Sequence, residues 1–114
     1  MRKDIELFIE QMSKCWGADT SYFNDDRNPR CAGQCACSAL CIQDKFGGEI
    51  KRIIIGNTRH YFNFIDGVII DSTASQYLIE RGIDYSNATN PPDDFPHQET
   101  IEKYKLLKRK MESK

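Results

Sequence analysis

The chain has no surplus of charge of either sign: 16 Lys and Arg residues stand against 17 Asp and Glu, a formal net charge of −1 over 114 residues. Without an overall field to draw them in, neither nucleic acid nor an anionic membrane is expected as a partner. The chain also lacks an uninterrupted apolar run of the ~20 residues that a membrane-spanning helix requires. Its first residues, Met1-Arg2-Lys3-Asp4-Ile5-Glu6, put charges where a secretory apolar region would lie, so a cytoplasmic protein is expected. Histidine is scarce, with only His60 and His97 to choose between for any base. Internal repeats, low-complexity tracts and linkers are absent, and 39% hydrophobic with 29% charged residues suits one compact domain over residues 1–114. Cysteine is plentiful, but the five are odd in number and four crowd between Cys31 and Cys41. That pattern fits a reducing compartment better than a disulfide scaffold.

Apolar periodicity lays out an α+β order. Ile5, Phe8, Met12, Cys15 and Trp16 share one helical face, predicting a helix over residues 4–16 that ends before Gly17. A polar, turn-rich segment from Ala18 to Pro29 follows. Cys35, Ala39, Ile42 and Phe46 then fall at helical spacing with Ala36 and Leu40 alongside, predicting a central helix over 33–46 closed by Gly47-Gly48. The β-branched run Glu49 to Ile55 reads as a buried strand. Arg59 to Ile65 and Val68 to Ser72 read as two strands joined by Asp66-Gly67, a pair suited to the positive φ angles of a type I′ turn. Ser75 to Arg81 is expected as a short helix, Asn87 to Pro96 as an irregular connection, and Glu99 to Met111 as a last amphipathic helix. On that last helix the basic side, Lys103, Lys105, Lys108, Arg109 and Lys110, reads as a solvated face complementing the helix dipole.

Cys35 stands where a polar loop enters a helix. In a first turn, unpaired backbone N–H groups and the positive end of the dipole favour thiolate over thiol. A two-residue hairpin loop sets Ile65 opposite Val68, hence Phe62 opposite Asp71 and His60 opposite Thr73. His60 and Asp71 are then same-face diagonal neighbours with Cβ atoms within ~7–8 Å, close enough for a hydrogen bond. Cys35 as nucleophile, His60 as base and Asp71 as the group that orients the base make a triad. The plainer readings are a structural His60 and an Asp71 that caps the turn at Ser75. For the oxyanion, the Cys35 backbone N–H is the first donor; Gln34, the Trp16 indole or a loop amide are candidates for the second. Gln34 equally fits a loop cap, and Trp16 a core position.

Gly33-Gln34-Cys35 resembles the nucleophile motif of transglutaminases. His60-Tyr61-Phe62-Asn63, Asp66-Gly67 and Asp71-Ser72-Thr73 resemble the His-strand, turn and Asp-strand of the wider transglutaminase-like, papain-like superfamily. With Ser13-Lys14-Cys15-Trp16, Asn28-Pro29, Ala39-Leu40, Gln43-Asp44, Gly47-Gly48-Glu49-Ile50 and Ser75-Gln76-Tyr77, the ordered matches resemble the small bacterial YunG-like family over nearly the whole chain. The resemblance implies a papain-like α+β fold, a nucleophile helix packed on a small antiparallel sheet with N- and C-terminal helices, and supports the Cys35, His60, Asp71 assignment. It supplies no substrate. The chain departs from the pattern at Cys37 and Cys41, where aliphatic residues are expected, and at Phe62, where the superfamily often has tryptophan.

The expected activity is that of a cysteine hydrolase or acyltransferase acting on an amide, isopeptide or ester bond of a peptide, protein or small amide, with no cofactor. Two alternatives stand beside it: a catalytically silent protein-binding or inhibitor module, and a thiol-redox sensor using Cys31, Cys37 and Cys41 beside Cys35. A metal is not expected, because the cysteine spacing is not the paired C-x2-C of structural zinc and a helix turns Cys35 and Cys37 about 200° apart.

Overall fold

A computed structural model of the chain describes residues 3–22, 33–55, 58–73 and 85–113. Among these residues the order is α1 (Lys3–Ser13), α2 (Cys35–Phe46), β1 (Glu49–Ile55), β2 (Thr58–Ile65), β3 (Val68–Ile70), a 3-10 turn (Tyr85–Asn87) and α3 (Gln98–Glu112). The architecture is a small α+β one, with helices against a three-stranded antiparallel sheet in the order β1-β2-β3. No helix among the described residues is long and apolar enough to cross a membrane. The expected helix Ser75 to Arg81, and with it Cys31, lies outside the described residues.

The hairpin follows from its turn. Asp66 and Gly67 have φ of 51° and 79°, both positive as a type I′ turn needs, and this sets Ile65 opposite Val68, Phe64 opposite Ile69 and Asn63 opposite Ile70. β3 ends at Ile70 rather than at the expected Ser72 because the Asp71 carboxylate captures the Thr73 N–H at 3.3 Å, turning the chain out of the ladder. α1 likewise stops at Ser13, three residues short of Trp16. The chain tightens there, with Cys15 N–H bonded to the Met12 carbonyl at 2.9 Å, and Cys15 and Trp16 stay buried without being helical. The irregular stretch after Asn87 holds one unforeseen pairing, a two-way backbone bridge between Arg52 and Thr89.

α2 is the middle layer. Its buried side is Cys37, Ser38, Ala39, Cys41 and Ile42, small side chains that let neighbours come close. The main core joins Ile5 and Met12 of α1, Cys15 and Trp16, Cys37, Cys41 and Ile42 of α2, Ile65 and Ile70 of the hairpin and Leu107 of α3. Along β2, Tyr61, Asn63 and Ile65 alternate toward α2. Asn63 is buried and donates from Nδ2 to the Ala39 carbonyl at 3.0 Å, which sets the height of the helix on the sheet.

Candidate active site

Cys35 is the first residue of α2 and is half-buried. Gln34 precedes it as N-cap residue but supplies no side-chain cap. The buried Gln34 carboxamide is turned back into the loop: Nε2 donates to the Gly17 carbonyl at 3.0 Å and Oε1 accepts from the Thr20 hydroxyl at 2.7 Å. This pins the loop to the start of the helix. The Trp16 indole N–H donates to Ser38 Oγ at 2.9 Å, anchoring the loop one turn further along the helix. Both side chains put forward as second oxyanion donors are thus held in internal hydrogen bonds.

His60 is fully buried on β2. The β2–β3 ladder stops at the Asn63–Ile70 pair, before it reaches His60, and at that open end Nε2 meets Asp71 Oδ2 at 2.7 Å. Cys35 is close enough to act on the protonation of the imidazole. Burial is the largest influence on His60 and pulls its pKa down; hydrogen bonds and charge from Asp71 and Cys35 outweigh it and push it up to about 9. The imidazolium is therefore the favoured form at neutral pH.

Asp71 accepts three hydrogen bonds: His60 and the Tyr85 hydroxyl, 2.8 Å away, on Oδ2, and the Thr73 N–H on Oδ1. Tyr85 is the residue of this cluster that sequence reasoning missed. Its phenol is pushed up by burial first and by the bond to Asp71 second, so it stays a donor. Its ring meets Phe62 edge-on at 4.9 Å, and Phe62 stacks with His60 at 6.5 Å, so one wall of rings backs the imidazole. The only sequence signal for Tyr85 is a tyrosine entering a proline-rich connection.

Among the described residues, the cysteines other than Cys35 are buried. Cys37 donates from Sγ to the Thr20 carbonyl at 3.4 Å, and burial pushes its thiol up to about 12. Cys41 is also raised to about 12, by burial and then by Asp44. Such thiols stay protonated and chemically quiet, which weighs against a redox role for Cys37 and Cys41. Cys15 is buried too. The second histidine, His97, is 53% exposed at the start of α3, 3.9 Å from Asp94.

Sulfur, imidazole, carboxylate and phenol in series can ionise, orient and shuttle a proton. Fold and cluster together define a small α+β protein with a half-buried cysteine near a buried His–Asp pair. A family model described as YunG protein matches residues 4–114, and the chain belongs to that family. It is similar to "Uncharacterized protein YunG" of Bacillus subtilis (strain 168), 30% identical over 97 residues that span 85% of this chain and 82% of that protein. No solved structure matches it.

Proposed function

We propose that the protein is a cysteine hydrolase or acyltransferase with a papain-like, transglutaminase-like core, working in a reducing cytoplasm on an amide, isopeptide or ester bond. The observation that carries this reading is the buried His60–Asp71 pair, 2.7 Å apart, with Cys35 among the groups that raise the imidazole's pKa. Cys35 attacks the carbonyl as thiolate, forming a C–S bond. The oxyanion is met by the Cys35 backbone N–H at the helix start. His60 gives its proton to the leaving amine or alcohol, the C–N or C–O bond breaks, and an acyl-enzyme remains. Water or an acceptor amine then loses a proton to His60 as it attacks, and Cys35 is released. Asp71 holds the ring and offsets its positive charge throughout.

The test is the rate of iodoacetamide alkylation of Cys35 across pH, in the wild type and in His60→Ala. An ion pair labels rapidly at pH 6, and the variant is about 100-fold slower there, because an ordinary thiol of pKa ~8.5 is scarcely ionised. Asp71→Asn serves as the milder variant where His60→Ala disturbs folding. A wild-type profile that follows a free thiol and ignores both substitutions overturns the reading.

A further inference from the structure

In the β1–β2 ladder Ile50 pairs with Asn63, Arg52 with Tyr61 and Ile54 with Arg59. Paired residues share a face, as do residues two apart, and the Asn63 bond to Ala39 marks this as the face on which α2 lies. Cys35, the first residue of the helix, packs against the cluster of Ala39, Ile50 and Tyr61. The same face of the sheet continues past the tip of α2, carrying Arg52, Arg59 and an exposed Ile54.

Arg52 is held by its backbone bridge to Thr89, at 2.8 and 2.9 Å. Its Nε is buried and has no hydrogen-bond partner. The adjacent cation, Lys51, is satisfied by Asn90 at 2.8 Å and lies near Glu49. Among the described residues, by contrast, neither Arg52 nor Arg59 has a carboxylate partner. Arg52 pairs with Tyr61 across the ladder, Arg59 is two residues from Tyr61 on the same face, and Cys35 packs against the cluster that contains Tyr61, so all three are neighbours of one side chain. The charges of Arg59 and Arg52 accordingly oppose the rise that burial gives the Tyr61 phenol, and Cys35 adds to it. A buried donor without a hydrogen-bond partner, on the strand position that pairs with the neighbour of Cys35, is a position an oxyanion fills.

Resting on the reading of Cys35 as an acyl-transfer nucleophile, the geometry points to a carboxylate-recognising floor made by Arg52 and Arg59, which selects amide or ester substrates with a negative charge beside the scissile carbonyl. The bidentate fork of each guanidinium suits a carboxylate, and the stacked Tyr61–Phe95 pair, 4.4 Å between centroids, gives an apolar wall for the rest of the substrate.

The test uses two reagents that differ by one charge, iodoacetate and iodoacetamide, each alkylating Cys35 with loss of iodide. The ratio of their rates at one fixed pH is measured for wild type, Arg59→Gln, Arg52→Gln and Lys45→Gln. Lys45, exposed near the opposite end of α2, controls for net charge. Arg59→Gln and Arg52→Gln each lower the iodoacetate-to-iodoacetamide ratio about threefold, and added salt narrows the difference; Lys45→Gln keeps the wild-type ratio. Arg59 is exposed, so its variant keeps the test decisive where Arg52→Gln fails to fold. Equal ratios in wild type and both arginine variants overturn the proposal. Loss of the His60 dependence of iodoacetamide labelling instead overturns the catalytic reading, while the ratio still reports on the two arginines.

Discussion

At the scale of single residues, the balance on His60 is the quantity to perturb. Burial is its largest influence and acts against protonation, so the raised value of about 9 depends on the two partners that oppose burial. Asp71→Asn removes the fixed charge and leaves Cys35 alone against burial. The His60 titration, followed by NMR of a chain with two histidines, is expected to drop below the ordinary value of ~6.5. A midpoint still near 9 in that variant would show that the sulfur alone holds the proton. Tyr85→Phe acts the other way. It removes a competing donor from Asp71 Oδ2 but keeps the ring on Phe62, so the His60 midpoint rises slightly while stability falls by about 1 kcal/mol. The His60–Asp71 pair was legible in the sequence because a two-residue turn propagates register by simple counting. Tyr85 was not, since it follows Asp71 by 14 positions with no periodic pattern to carry a prediction. Gln34 was legible as either an oxyanion donor or a loop cap, and its bonds to Gly17 and Thr20 fit the second; the partners themselves were not legible, because they sit in a loop that reads only as polar.

At the scale of elements, α2 passes into β1 through two glycines. Gly47 and Gly48 both have positive φ, 78° and 81°, but they differ in surroundings. A Cβ on Gly47 meets nothing within 4 Å, whereas one on Gly48 would lie 2.7 Å from the Phe64 carbonyl oxygen and 2.9 Å from Ile65 Cγ1. Gly47→Ala is expected to cost only its backbone strain, about 1–3 kcal/mol. Gly48→Ala is expected to cost at least about 1 kcal/mol more, because the β2 backbone must shift. Urea denaturation of the two variants checks the order, and equal losses would mean that β1 and β2 separate freely at that corner. The glycine pair was readable as a stop signal from composition alone. The closeness of β2 to the second glycine depends on tertiary packing that no local pattern records. The same limit shows in α1 and β3, whose interiors followed apolar spacing while their ends were set by a backbone turn at Cys15 and by the side chain of Asp71.

At the scale of the whole molecule, α3 closes the core and reaches the site through a relay. Leu107 is fully buried against α1 and α2 residues. One turn on, Lys110 donates to the Cys15 carbonyl at 3.1 Å and to Asp19 at 2.7 Å, and its hydrogen bond holds the Asp19 carboxyl below the usual range. Asp19 adjoins Thr20, which holds Gln34 and so the start of α2. The basic side of the last helix is thus not uniformly solvated, since Lys108 also pairs with Asp44 at 2.8 Å. Apolar burial and the ionic tie can be separated by magnitude. Leu107→Ala leaves a cavity and is expected to cost about 2–5 kcal/mol, a large part of a small domain's ~5–15 kcal/mol. Lys110→Met keeps the apolar stem and removes a partly exposed ion pair, a loss within about 1 kcal/mol. If α3 is held by its apolar side and Lys110 serves to set the loop, urea midpoints fall sharply for Leu107→Ala and little for Lys110→Met, while the iodoacetamide rate at Cys35 falls in Lys110→Met at nearly unchanged stability. A Lys110→Met variant as unstable as Leu107→Ala would place the ionic tie, rather than the buried leucine, at the root of how the C-terminal helix holds the molecule together.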